Sequence, residues 1–458
     1  MTARHAGGGE DYMASHPTAA SGIAIEPDAA GRGLAYSYYV VAVLAVAYML
    51  SFMDRTLISL LIAPIKAEFG LNETELGLLI GFGFVVLYSL LGLPFGALAD
   101  RADRRWLMIV GLVAWSLATS ASGFAGGFVA LMAMRTLVGV GEATLSPSAY
   151  STLADRFPAD RLAGASAIYA AGVSVGGGLA MIFGGMLVEW TRTATMALPL
   201  VGVLSGWRLA LVVVGLLGLP LAVLMALTIR EAPRRVRVAS PPLSELIAYI
   251  GGRPTAMIGV LACFAFANVA NYVAFLYGAP LFMRVHGMDA RTTGLALGSI
   301  VAIFGTVGMI GSGYAADWLT RRGLQDATLR VVQWCLIAQI PVMPAAFLAG
   351  DPRLALLLMV PTMVLTTAAS SVQATAMQLM TPPRMRGRMI AIYLLVVTLV
   401  GMGIGPLMIG ILSDHVFTAK TGLAPAMAVV AVTGLIVASL ILAAVRNAAR
   451  ATIGEQAA

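Results

Sequence analysis

Gly96-Ala-Leu-Ala-Asp100-Arg101-Ala-Asp-Arg104-Arg105 closes the second long apolar stretch of the chain, and Gly313-Tyr-Ala-Ala-Asp317-Trp-Leu-Thr-Arg321-Arg322 closes the eighth. In each copy the glycine allows close helix approach. The aspartate falls near a helix end, where it can meet arginines or a neighbouring helix N-terminus. A positive loop with one incidental acid accounts for a single copy. Two copies in register point instead to a chain built from two equivalent halves, with loops that can lock one conformation and release it in another.

Composition sets the environment of those halves. Of 458 residues, 59% are hydrophobic and 11% charged, against about 25% charged in a soluble domain. Apolar runs far longer than the roughly 10-residue strands of a barrel indicate membrane helices. Windows of about 20 apolar residues place twelve of them near 36–64, 75–99, 105–123, 127–153, 161–189, 208–229, 255–283, 292–316, 328–349, 354–380, 387–412 and 422–446. The predicted fold is therefore all-α, with two pseudo-symmetric six-helix bundles.

The expected organisation is a disordered cytoplasmic tail over 1–35, an N-terminal bundle over 36–229 and a basic cytoplasmic linker over 230–254. A C-terminal bundle over 255–447 and a tail over 448–458 complete it. Residues 1–35 have no cleavable apolar core, so no signal peptide is expected. Within the linker, Leu243, Leu246, Ile247 and Ile250 share one helical face, as in a short helix lying on a membrane surface. Most Lys and Arg fall in the tails and alternate loops, which predicts cytoplasmic termini in an inner membrane. The net charge of +7 then reflects topology and membrane lipids, with no nucleic-acid partner.

The duplicated loop resembles the signature loop of the major facilitator superfamily, a resemblance covering about residues 36–446. Arg135-Thr-Leu-Val-Gly139-Val-Gly141-Glu142-Ala143 resembles the fourth-helix motif of that superfamily. Glycine-rich fifth and eleventh helices (Gly172, Gly176, Gly177, Gly178, Gly184, Gly185; Gly401, Gly403, Gly405, Pro406, Gly410) agree with it. Within the superfamily, Phe52-Met-Asp54-Arg55, Gly77-Leu-Leu with Tyr88 and Pro94, Trp115-Ser116, Arg135 through Glu142 and Ala154-Asp155-Arg156-Phe157-Pro158 resemble the Spinster lipid transporters. That resemblance implies a single-chain amphipathic substrate, of lysophospholipid or sphingosine-1-phosphate chemistry, and a monomer.

Asp54, Arg55, Arg135 and Glu142 are charges inside apolar segments, which cost roughly 2.5–3.5 kcal/mol each on insertion scales. With a rise of about 1.5 Å per residue, Asp54 and Arg135 fall at similar depth on the periplasmic side, and Glu142 lies about 10 Å deeper. The spacing of seven puts Arg135 and Glu142 on one face. Asp54, Arg55 and Arg135 are expected to form one cluster with Glu142 below it. Asp54 and Glu142 are the candidate proton carriers, and Arg55 and Arg135 their charge partners or headgroup ligands. A salt-bridge network that only joins the helices is the structural alternative.

In the second half Asn268, Asn271, Tyr272, Tyr277, Gln373, Gln378 and Tyr393 lie on apolar faces and are candidate cavity lining. The two cysteines, Cys263 and Cys335, and four histidines make no metal or redox spacing, so no metal, cofactor or catalytic residue is assigned. Without a nucleotide loop, energy must come from a gradient or from the substrate. The reading is a proton-coupled carrier of an anionic amphipathic lipid. A proton-linked drug or metabolite exporter and an organic-anion carrier are the alternatives, and a polytopic membrane enzyme stands behind both.

Overall fold

With no water in hydrocarbon to bond exposed amides, a spanning chain must satisfy its backbone within helices. The computed structural model describes residues 27–99, 101–157, 159–191, 194, 196–198, 202–204, 206–231, 243–419 and 421–457. Among them are eleven helices long and apolar enough to cross a membrane, and a twelfth, span five, with a shorter apolar stretch. Spans one to four are Gly33–Leu60, Glu73–Gly92, Arg104–Ser122 and Phe128–Arg156. Span five is the helix Ala159–Thr191, whose apolar stretch among the described residues is Val175–Thr191. Span six is Gly206–Thr228, and spans seven to nine are Pro254–Arg284, Ala290–Arg321 and Ala327–Leu348. Pro352–Leu379, Pro383–His415 and Leu423–Gln456 complete the set. This is an integral, multi-pass membrane protein.

Three features depart from expectation. The first helix begins at Pro27, so residues 27–35 are helical where a disordered tail was expected. The last helix runs to Ala457, through every described residue of the expected tail. It continues because Ile453 and Thr452 are buried and Glu455 pairs with Arg253 at 2.9 Å. Between spans five and six, Met196–Leu198 pairs antiparallel with Gly202–Leu204, the one strand pairing among the described residues. Residues 1–26 of the expected tail and 232–242 of the linker lie outside the described residues. The rest of the linker includes a helix, Leu243–Gly251, which buries Leu246 and leaves Ile247 exposed. Tyr249 Oη donates to the Met380 carbonyl at 2.7 Å, docking this helix on the second bundle.

The two bundles meet along spans two and eleven and along spans five and eight. Glycines set both crossings. A Cβ on Gly178 would fall 2.5 Å from the Gly298 carbonyl oxygen, and one on Gly185 would fall 3.1 Å from the Gly294 Cα. Gly77 and Gly81 likewise press on the backbone of Pro406 and Met402. Spans two, eight and eleven each contain a π-turn, over Leu78–Phe82, Val301–Gly305 and Leu399–Ile404.

At the side remote from the termini, here the far side, charges also join the bundles. The Glu73 carboxylate takes Arg284 at 2.6 and 3.0 Å and also pairs with Lys66. Asp414 of span eleven accepts from the Glu73 and Thr74 amides at 2.9 and 2.7 Å and from Thr74 Oγ1 at 2.6 Å. It thereby binds the first turn of span two, where amides have no helical partner. Losing such a cap costs about 1 kcal/mol, or about fivefold in an equilibrium. Asp414→Ala is expected to speed alkylation of a cysteine placed at buried Leu71 severalfold by a membrane-impermeant maleimide. Unchanged labelling would sink the idea that Asp414 holds this side shut.

Arg208 ties the far-side loops of the first bundle. It donates to the Gly123 and Ala125 carbonyls at 3.1 and 2.7 Å and to Glu68 Oε1 at 2.7 Å. Partial burial works to raise the Glu68 carboxyl, but hydrogen bonds from Arg208 and Trp207 outweigh it and hold the group below the usual carboxylate range. Its contribution is present above the unfolded value and fades as pH falls through the lowered folded value. The half-exposed pair is worth below about 1 kcal/mol. The thermal midpoints of the parent and Glu68→Gln should accordingly differ near neutrality and converge in acid.

Candidate functional site

Asp54 and Arg55 are neighbours on span one and so point about 100° apart around the helix. Asp54 turns toward spans three and four. Its Oδ1 accepts from Arg135 Nη1 at 3.2 Å, and its Oδ2 accepts from Thr119 Oγ1. Arg55 turns toward spans two and four and binds Glu142 Oε2 through Nη2 at 2.6 Å and Nε at 2.9 Å. Ser51, one turn earlier, donates to the same oxygen at 2.5 Å. All four charges are buried, with Arg135 and Glu142 1% exposed, Asp54 2% and Arg55 8%.

The expected cluster of Asp54, Arg55 and Arg135 is thus replaced by two separate pairs. Asp54 and Arg135 do meet. Arg55 belongs with Glu142, because its length carries it one turn back along span one, toward Ser51. Glu142 is the last residue before span four breaks into a second helix, Leu145–Arg156, with Thr144 Oγ1 bonded to the Gly141 carbonyl at 2.9 Å.

Aromatic rings line the space around these pairs. The Arg55 guanidinium lies 4.6 Å from the Phe84 ring centre, 4.7 Å from Tyr88 and 5.2 Å from Phe52. Arg135 lies 5.5 Å from the same Phe84 ring. Such contacts contribute about 0.5–2 kcal/mol each when desolvated. Tyr48 stacks on Tyr169 at 4.9 Å, and Tyr150 meets Tyr169 edge-on at 5.1 Å.

The pairs are not saturated. Among the described residues, Arg135 Nε and Nη2 and Glu142 Oε1 are buried without a hydrogen-bond partner. Buried polar groups normally find one. Chemically, the site can therefore still donate to an anion at Arg135 and take a proton or a donor at Glu142. A crevice of about 10 Å³ beside Asp54, lined by Trp115, Ser116, Thr119 and Gly215, is about the size of one water.

In the second bundle, Gln373 Oε1 accepts from Asn268 Nδ2 at 2.9 Å and Tyr393 Oη at 3.1 Å, uniting three of the candidate lining residues. Asn271 bonds Ser370 Oγ at 2.9 Å. Tyr272 is half-buried against Gly401. Tyr277 is fully buried, with its hydroxyl 3.4 Å from the Pro406 carbonyl. Gln378 offers its backbone carbonyl to Arg386 Nε at 3.0 Å.

The duplicated loops differ in their contacts. Asp100 lies outside the described residues. Gly96 sits by Pro147, and Arg101 is exposed. Arg104 is buried and pairs with Asp155 and, at 2.7 Å, with Glu231. The Arg105 amide also binds Glu231, at 3.1 Å, while its guanidinium reaches the Ala226 carbonyl. In the second copy Gly313 has open space around it. Asp317 and Arg321 are exposed, and Arg322 stacks on Trp318 at 3.8 Å. Among the described residues Asp317 has no ion-pair partner. Asp326, nearby and buried, pairs instead with Arg330 at 2.8 Å and Arg446 at 3.7 Å.

Sequence reasoning missed Thr119, Ser51, Phe84, Glu73, Arg284 and Asp414. Ser51 carried a signal, being four residues before Arg55 on one helix face. Phe84 and Tyr88 share that same spacing. Glu73 and Asp414 carried none, since each reads as an ordinary loop acid.

Comparison with known proteins agrees with this architecture. A family model described as Major Facilitator Superfamily matches residues 44–406. An MFS-type efflux pump of Mycolicibacterium smegmatis is 28% identical over 397 residues, 85% of this chain and 88% of that protein. Human protein spinster homolog 1 is 36% identical over 200 residues, 43% of this chain, and the match spans only 35% of the human protein's length. The crystal structure of a bacterial homologue of the human lysosomal transporter Spinster, inward-facing and unoccupied, superposes with a TM-score of 0.74. It is 27% identical, over 92% of this chain and 98% of that one. The chain belongs to the Major Facilitator Superfamily of membrane transporters and resembles its Spinster members.

Proposed function

We propose that this transporter couples protons to the movement of an amphipathic anionic lipid, of lysophospholipid or sphingosine-1-phosphate-like chemistry, by alternating access. The observation that carries the reading is the buried pair of ion pairs in the first bundle with free valences at Arg135 and Glu142. Intramembrane charges of this kind mark ion and substrate pathways. In this reading the far side is periplasmic, both termini are cytoplasmic and the membrane is the bacterial inner membrane. Asp54 takes a proton and frees Arg135. Glu142 exchanges protons toward the cytoplasm and frees Arg55. A headgroup anion binds the released guanidinium, while Asn268, Tyr272, Gln373 and Tyr393 form part of the tail-side wall. The loops at Gly96–Arg105 and Gly313–Arg322 act as conformational latches.

A second reading, export of drugs or metabolites with proton exchange, is favoured by the efflux pump that aligns along most of the chain. Reconstitution in liposomes separates the two. Labelled lysophospholipids and sphingoid phosphates should accumulate under a pH gradient, and lipophilic cationic dyes should not. Dye transport with no lipid transport would select the exporter.

A further inference from the structure

Span two reaches the charge site through its π-turn. The Gly83 amide bonds back five residues to the Leu78 carbonyl, and the next residue is Phe84. One residue of helical register rotates every later side chain by about 100°, so the π-turn decides where the Phe84 ring points. Thr136 of span four fixes its exit by donating to the Gly83 carbonyl at 2.8 Å. On the opposite side, Gly81 presses on span eleven at Met402, within that span's own π-turn. The same helix ends in Glu73 and Thr74, which bind Arg284 and Asp414 across the bundle boundary. The Phe84 ring itself is wholly buried, stacked on Tyr88, and within reach of both guanidinium groups, 4.6 Å from Arg55 and 5.5 Å from Arg135. The negative face of the ring attracts both cations, whereas two bare guanidinium groups would repel.

We propose that Phe84 is a positioning residue for the charge site. Its ring, set by the π-turn of span two, keeps the Asp54–Arg135 and Arg55–Glu142 pairs apart and favours the conformation closed at the far side. Opening that side separates Gly81 from Met402, relaxes the π-turn and withdraws the ring, which lets the pairs exchange. The inference rests on the alternating-access reading above and adds the device that links the far side to the buried charges.

The test uses the full chain in nanodiscs, without Cys263 and Cys335, spin-labelled at Ala67→Cys and Arg291→Cys. Both sites are exposed at the far side, one in each bundle. Phenylalanine at 84 is replaced by mono- and trifluorinated phenylalanine, which keep the ring's shape while weakening its negative face. The fraction of long inter-label distances should rise stepwise with fluorination, at least threefold overall. It should rise further in Phe84→Leu and return toward the parent in Phe84→Trp. A purely packing role would not follow ring electrostatics at constant shape. The fluorinated series also stands if the Leu variant fails to fold. An unchanged distribution across the series, while an Asp414→Ala control does open, overturns the inference alone. A single fixed distance in every variant, the control included, overturns alternating access with it.

Discussion

Glu142→Gln is expected to lose gradient-driven uptake at least tenfold in proteoliposomes while retaining measurable substrate counterflow. The amide keeps the shape of the side chain, but it neither titrates nor balances Arg55. Removing one partner of a buried ion pair costs about 3–5 kcal/mol, because the other charge is left uncompensated. Three aromatic rings around Arg55 offset part of that cost, so the variant should fold with a lowered thermal midpoint. A purely structural salt bridge makes the same stability prediction, so a second variant is needed. Replacing both partners, in Arg55→Met/Glu142→Leu, removes the buried charges together and should recover most of the stability. Uptake driven by the gradient should stay absent in that variant. Recovery of both would reduce the pair to scaffolding, and undiminished uptake in Glu142→Gln would remove Glu142 from any coupling role.

The second large effect is expected at the crossing of spans five and eight. In Gly178→Val, the added carbons would meet the Gly298 carbonyl and the Ala302 methyl, the latter at 2.7 Å from Cβ. Overpacking of this size costs about 1–3 kcal/mol, which disfavours far-side closure roughly fivefold to 150-fold. Because the contact lies between bundles, the clash is relieved by parting them. Transport should fall at least tenfold, far-side labelling should rise, and the thermal midpoint should barely move. Gly139 provides the contrast. It packs on the Phe84 and Tyr88 backbone inside one bundle, with Tyr88 N at 3.5 Å from an added Cβ. Gly139→Val has no such escape and should be poorly folded. Equal destabilisation by both variants would mean that spans five and eight do not separate.

What the sequence revealed depended on how local the cause was. Apolar runs located the spans because the bilayer imposes one length on every helix. The spacing of Arg135 and Glu142 revealed their shared face because seven residues make nearly two turns. The pairing of Asp54 and Arg55 was less legible, since adjacent residues on a helix diverge and the reach of an arginine chooses its partner. Phe84 was hidden by a single residue of register in a segment apolar all round, where no amphipathic pattern marks a π-turn. The bond from Asp414 to the start of span two joins residues 341 positions apart, which no local pattern encodes. Repetition also misled. Asp317 stands where the duplicated loop puts an acid, yet Asp326 is the acid that pairs with arginines.

The Asp414 contact bears on the energetics of switching. Span two keeps its own cap, for Asn72 accepts from the Glu75 amide at 2.7 Å and Glu75 returns a bond to the Asn72 amide at 2.9 Å. When Asp414 withdraws, the helix does not fray, and water can take over the amides of residues 73 and 74 at the protein surface. Departure is then an exchange of hydrogen-bond partners, with a net worth of about 0.5–1.5 kcal/mol for each bond. Summed over its three bonds this comes to a few kcal/mol, a difference that a ligand supplies if it binds the parted arrangement better than the closed one.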